Sequence, residues 1–232
     1  MAAEDKSLKK YETLDFIHGE DIDPEHNQIY LFGREEASEV MENGEPGVEY
    51  RMANRFIKNL HYLSGRDAKK PILIHMKTCG GYVEEGMAIY DAILSVPNPI
   101  SIINYTHARS MSSIILQAAN KRIMMPNSYF MFHEGDQAVS GTFKQVNSIV
   151  DFGKRFSDTM TTIYAERMKH TPKASMRTWT MARIKDWLVH EMDRKEDVHL
   201  TASETIAIGL ADEIFVDYES VFAYTKQQLS IK

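Results

Sequence analysis

Ser110, His133 and Asp197 are the residues of this 232-residue chain whose types and placement point to chemistry. Ser110 stands where an apolar, strand-like run turns into a helical pattern, in His107-Ala108-Arg109-Ser110-Met111-Ser112-Ser113-Ile114-Ile115-Leu116. His133 closes a second strand-like run, Ser128-Tyr129-Phe130-Met131-Phe132-His133. Asp197 opens Asp197-Val198-His199-Leu200-Thr201. A serine at a helix N-terminus, a strand-end histidine and a later aspartate are the parts of a hydrolytic triad. The imidazole takes the hydroxyl proton and the carboxylate holds the imidazole.

Each part also has a plainer reading. Serine is among the best helix N-caps, so Ser110 taken alone reads first as a cap. His107 is a rival base by proximity, and Asp193 and Glu196 compete with Asp197 in the same charged run. Gly80-Gly81 lies between a strand-like and a helical segment. It reads either as a tight turn or as a source of a backbone N–H for an oxyanion. It lacks the third spaced glycine of a dinucleotide fingerprint, and no phosphate-binding Gly-Lys-Ser/Thr is present, so no cofactor is expected. His190-Glu191 has no second histidine at metalloprotease spacing, so no metal is expected either. Cys79 reads as a small packing residue.

The bulk numbers narrow the setting. Hydrophobic residues at 43% and charged residues at 26% suit a soluble globular protein. No run of about 18 apolar residues predicts a membrane span, and Met1 to Lys10 is too polar for a secretory signal. The single cysteine fits a reducing, cytoplasmic setting. A net charge of -6 points away from nucleic acid as the main partner.

Around these residues the apolar pattern predicts strands at 28–32, 71–76, 100–105, 123–125 and 129–133. Helical spacing joins Met52, Phe56, Leu60 and Leu63, then Val83, Met87, Tyr90 and Leu94, then Met111, Ile114, Ile115, Ala118 and Ala119. One long helix is expected from Thr142 to His170, projecting from the core. Another is expected over 177–189 with Trp179 and Trp187 as anchors, and a last strand within 210–216. Such alternation predicts an α/β fold with a parallel sheet under helices. Residues 1–27 read as an acidic, loosely ordered leader, 28–216 as the main domain with an insertion at 35–50, and 217–232 as a polar tail.

In four ordered blocks across residues 28–215 the chain resembles the Clp protease proteolytic subunits, peptidase family S14 of the ClpP/crotonase superfamily, as a divergent member. The Ser-Pro-Gly-Gly turn of that family and its Gly-x-x-Ile-Tyr-Asp helix correspond to Thr78-Cys79-Gly80-Gly81 and to Gly86 through Asp91. The nucleophile segment corresponds to Thr106 through Met111, and the base segment to Met125 through Ser128 with Met131 through Gly135. The aspartate signature corresponds to Asp197 through Asp212. The triad order Ser–His–Asp fits this family and none of the α/β-hydrolase, chymotrypsin or subtilisin orders.

The resemblance implies crotonase-like repeated β-β-α units with a projecting handle helix at about 142–170. It also implies a serine endopeptidase with Ser110 as nucleophile, His133 as base and Asp197 as its orienting carboxylate. The backbone N–H groups of Gly81 and Met111 would form the oxyanion hole. Polypeptide substrates, a heptameric ring or two stacked rings, and an AAA+ unfoldase partner follow from the same resemblance. The chain departs from the family at Thr78, Cys79, Thr106, Arg109 and Glu134-Gly135, and the usual axial-loop sequence is absent from Met1 to Asn27. Two alternatives therefore stand beside the protease: a catalytically impaired or regulatory ring subunit, and a crotonase-like acyl-CoA enzyme.

Overall fold

The computed structural model describes residues 13–34, 44–136 and 138–221. In chain order it runs β1 (Ile22–Asp23), β2 (Gln28–Phe32), α1 (Tyr50–Arg66), β3 (Ile72–Thr78), α2 (Val83–Ser95) and β4 (Ile100–Arg109). Then follow α3 (Met111–Gln117), β5 (Lys121–Met124), β6 (Tyr129–Phe132), α4 (Phe143–His170), α5 (Met181–Lys195), β7 (Val198–Thr201), α6 (Ala202–Ile208) and β8 (Glu213–Ile214). The strands form one sheet in the order β1-β2-β3-β4-β5-β8, with β6 added to β4 and β7 added to β6. Pairing is parallel except at β1–β2 and β6–β7. β3 and β4 are buried almost throughout, which is why their apolar runs show little alternation.

β4 is the strand on which the site depends. Its first half pairs with β5 through Ser101–Asn104, and its second half pairs with β6 through His107–Arg109. The pattern predicts an end at Tyr105, but the strand continues through Thr106-His107-Ala108-Arg109. Buried His107 and Arg109 are polar, which hid them from an apolar count, and each has a charged partner described below.

Helix α2 also turns a different face than its spacing predicts. Gly86, Ile89, Ala92 and Ile93 are buried, whereas Leu94 is 54% exposed. Gly86 packs directly on the Met111 side chain, so a residue with no side chain of its own lets α2 approach α3. Helix α5 starts later than expected, at Met181 behind its Thr180 cap, and runs on to Lys195. Trp179 therefore precedes the helix, under the Arg183 guanidinium, which lies 3.9 Å from its ring centroid.

Helix α4 opens with a capping box between Thr142 and Gln145. Its 28 residues give a length of about 42 Å. Its C-terminal half buries Met160, Tyr164, Ala165 and Met168. Its N-terminal half carries Phe143, Ile149, Val150 and Phe152 exposed. The segment expected as a loose leader is helical at 13–20 and pairs through β1 with β2. The rest of that leader at 1–12, most of the expected insertion at 35–43, and the tail from 222 lie outside the described residues. The expected last strand is only Glu213–Ile214. It is anchored by buried Arg122, which donates to Asp212 Oδ1 at 2.6 Å, to Gln117 Oε1 at 2.8 Å and to Thr171 Oγ1 at 2.8 Å.

Candidate active site

Strand register brings the three candidates to one edge of the sheet. Arg109 of β4 pairs with Met131 of β6, and the Ser110 N–H donates to the Met131 carbonyl at 3.2 Å. Phe132 of β6 pairs with Val198 of β7 in antiparallel fashion, so His133 and Asp197 emerge opposite one another. His133 Nδ1 lies 3.0 Å from Asp197 Oδ1. Neither Asp193 nor Glu196 takes that place, although both line the same cleft.

Ser110 occupies the N-cap position of α3 without acting as a cap. Its side chain makes no capping hydrogen bond, and its backbone sits at φ 50°, ψ -131°. Positive φ is unusual for a residue with a side chain and is stored strain. A sharp strand-to-helix turn of this kind lifts a hydroxyl out of the sheet edge. The turn is held from behind. The Ser113 N–H and Oγ–H both donate to the Ser110 carbonyl, at 3.0 Å and 2.6 Å, and Tyr164 OH sits 2.6 Å from Ser113 Oγ. Ser112 Oγ closes the same turn by accepting from the Arg109 N–H at 2.9 Å.

Ser110, His133 and Asp197 line one open cleft of about 990 Å³ together with Cys79, Gly80 and Gly81. Among the described residues Ser110 Oγ makes no hydrogen bond, so the serine–histidine link is open in this conformation. Catalytic hydrogen bonds often tighten only when substrate is in place. A smaller cavity of about 200 Å³ lies between β2 and α1 and contains none of the candidate residues.

The glycine turn leans on Ser110. Gly80 has φ 91°, and a Cβ there would fall 2.8 Å from Ser110 Cβ and 2.9 Å from the Met111 nitrogen. Only glycine permits both the conformation and the approach. Gly81 lies against the Val48 backbone. The bonds of that bridge run from the Val48 N–H to the Gly80 carbonyl and from the Tyr82 N–H to the Val48 carbonyl, leaving the Gly81 N–H outside the pairing. The Met111 N–H is the first of α3, where no helical acceptor is available. The turn and the helix start therefore lie side by side at Ser110.

His107, the rival base, is turned away from this cleft. Its Nε2 lies 3.1 Å from Glu45 Oε2 and its ring packs on Tyr129. Burial lowers its pKa, with the Glu45 charge opposing. Arg109 reaches the same carboxylate at 4.0 Å and Tyr129 OH at 3.5 Å. Glu45 has no signal in the sequence that would mark it, since its partners lie 32 to 64 positions away. Cys79 is buried, and its thiol is directed to the carbonyls of Glu45 and Gly80. Among the described residues no group of three His, Cys, Asp or Glu side chains could hold a metal ion. Likewise no helix among them is long and apolar enough to cross a membrane.

Comparison with known proteins finds one family. The sequence model of the Clp protease family matches residues 37–217. An ATP-dependent Clp protease proteolytic subunit of Streptococcus gordonii is 31% identical over 172 residues, covering 73% of this chain and 81% of the relative. One from Solanum tuberosum is 32% identical over 174 residues, covering 73% and 80%. Another, from Deinococcus radiodurans, is 29% identical over 169 residues, covering 72% and 76%.

Proposed function

The chain belongs to the Clp protease family, a family of serine endopeptidases, and we propose that it hydrolyses peptide bonds through Ser110, His133 and Asp197. The observation that carries this reading is the His133–Asp197 contact at 3.0 Å in the cleft that also holds the unbonded Ser110 hydroxyl. Ser110 Oγ attacks the scissile carbonyl while His133 Nε2 takes its proton. Asp197 fixes the tautomer by accepting from Nδ1–H and stabilises the imidazolium. The N–H groups of Gly81 and Met111 stabilise the oxyanion, a donor of this kind being worth about 3 kcal/mol in the transition state. The imidazolium then protonates the leaving amine, and water, activated by the same histidine, releases the acyl group from Ser110.

Family membership supports a ring of subunits that encloses polypeptide substrates, heptameric and either single or stacked in pairs, served by an AAA+ unfoldase. The exposed Phe143, Ile149, Val150 and Phe152 on the projecting half of α4 suit burial between subunits. The single, buried cysteine supports a cytoplasmic setting. The family match sets aside the acyl-CoA alternative. The regulatory-subunit reading is favoured by one observation, the open link between Ser110 and His133.

Fluorophosphonate treatment followed by intact-mass and peptide mass spectrometry separates the two. One adduct per chain on Ser110, absent from Ser110→Ala, is the expected result. Labelling that persists in Ser110→Ala overturns the nucleophile assignment. An assembled protein that takes no label supports the regulatory reading instead.

A further inference from the structure

Residues 44–49, part of the segment that the sequence marks as inserted, cross behind the oxyanion turn and are tied to it at several points. The Glu45 carboxylate lies 3.1 Å from His107 Nε2, 3.5 Å from Lys77 Nζ and 4.0 Å from Arg109 Nη2. His107 and Arg109 sit three residues and one residue before the nucleophile on β4, and Lys77 sits one residue before Thr78 on β3. The Glu45 carbonyl accepts from Cys79 Sγ at 3.9 Å. Three residues on, the Val48 N–H donates to the Gly80 carbonyl at 2.6 Å, and the Val48 carbonyl accepts from the Tyr82 N–H at 2.9 Å. The next residue, Glu49, caps α1 by accepting from the Met52 N–H at 2.8 Å. One short strap thus holds the nucleophile strand by charge and the glycine turn by backbone pairing, with its far end fixed to a helix.

We propose that Glu45 is a positioning residue for catalysis, clamping the turn at 79–82 against the strand that carries Ser110. The inference rests on the reading of Ser110 as nucleophile and of the Gly81 N–H as an oxyanion donor. The physical reasoning is local. The Glu45 side chain is only 18% exposed and faces the largely buried Arg109 guanidinium and the buried His107 ring. Charge pairs removed from water in this way fix geometry more firmly than exposed ones. Without the carboxylate, the strap loses its hold on β4 and keeps only its pairing to the turn. Gly80 and Gly81 then have neither side chains nor a proline to limit their backbone. An oxyanion donor displaced by a fraction of an ångström to about 1 Å costs roughly 10- to 100-fold in rate.

The test uses the full-length protein with Glu45→Gln, Glu45→Ala and Glu45→Asp. For Glu45→Gln and Glu45→Ala on a fluorogenic peptide, kcat is expected to fall roughly 10- to 100-fold with KM unchanged. Affinity for a matching peptide aldehyde, whose hemiacetal oxygen takes the oxyanion position, should weaken in proportion to kcat/KM. Glu45→Asp should recover part of the loss. A purely structural role would instead lower the melting temperature and leave aldehyde affinity unlinked to rate. Hydrogen exchange supplies a readout independent of activity: the amides of 80–82 should exchange faster in Glu45→Gln, with those of 72–76 unchanged. Wild-type labelling by fluorophosphonate with unaltered kcat, or unaltered exchange at 80–82, in the Glu45 variants overturns this proposal alone. A wild-type chain that takes no label overturns the active-site reading, and this proposal with it.

Discussion

Ser113 offers a quantitative test of how the nucleophile turn is held. A hydroxyl has one proton, so Ser113 Oγ donates it to the Ser110 carbonyl at 2.6 Å and accepts from Tyr164 OH at 2.6 Å. Tyr164 is fully buried on α4, so this chain of bonds runs from that helix to the backbone of Ser110. Tyr164→Phe removes one donor and keeps the ring against Phe130 and Phe132, for a cost of about 1 kcal/mol. Ser113→Ala leaves a buried phenol without a partner and weakens the bonding of the Ser110 carbonyl, for a cost of about 3 kcal/mol. With both changes there is no phenol to orphan, so the double variant should cost about 2 kcal/mol less than the two single variants together. Urea unfolding followed by tryptophan fluorescence, at fixed chain concentration, measures all four corners of this cycle. Costs that add to within about 0.5 kcal/mol would refute the relay. Burial also raises the Tyr164 pKa above its ordinary value of 10. The folded chain therefore keeps this proton at pH values where the unfolded chain has lost it. Stability should be fully present below pH 10 and decline above it, a slope that Tyr164→Phe should reduce.

Two further outcomes follow from charges elsewhere. His75 is buried between Tyr105 OH and Gln28 Oε1, each 2.9 Å away, and burial pushes its pKa down to about 4. Its contribution is present above the unfolded value of about 6.5 and is lost as pH falls towards 4, amounting to about 3 kcal/mol. Urea midpoints measured across this window should fall steeply for the wild type and less for His75→Gln, and equal slopes would exclude the assignment. The cleft that holds Ser110, His133 and Asp197 is lined by Glu134, Asp136, Asp193 and Glu196 against Lys195. Peptides with lysine beside the scissile bond should show roughly fivefold higher kcat/KM than glutamate counterparts, a difference of about 1 kcal/mol that shrinks in 1 M salt. Equal rates at low salt would sink that expectation.

The sequence made legible what depends on local pattern. The run Gln28–Phe32 is a strand over the expected residues, and the capping pair Thr142 and Gln145 opens the long helix where periodicity places it. Elements whose burial depends on distant partners were harder to read. The end of β4 carries His107 and Arg109, whose buried polar side chains make sense only once Glu45 is beside them. β7 is four residues next to a charged run, too short for alternation to register, although Thr201 and Glu204 carry a capping-box signature that marks the start of α6. For the same reason Asp197 could not be separated from Asp193 and Glu196 by composition. The antiparallel register of β6 and β7 is what sets it opposite His133.

The departures from the family pattern form a connected set when traced through space. Thr106 is exposed on β4, where a side chain in place of glycine meets no close neighbour that excludes it. Cys79 stands where the family has proline, so the glycine turn loses a fixed φ, yet the strap at 44–49 grips that turn at Cys79, Gly80 and Tyr82. Arg109 replaces a small residue beside the nucleophile, and its guanidinium turns to Glu45 of the same strap instead of the cleft. Gly135 stands where the family has proline after the histidine, and its φ of 87° is one that proline cannot adopt. The chain leaving His133 runs along the cleft wall, where it contributes Glu134 and Asp136. A rigid turn is thus replaced by an external clamp, and the arginine that looks disruptive beside Ser110 is one of the groups the clamp holds.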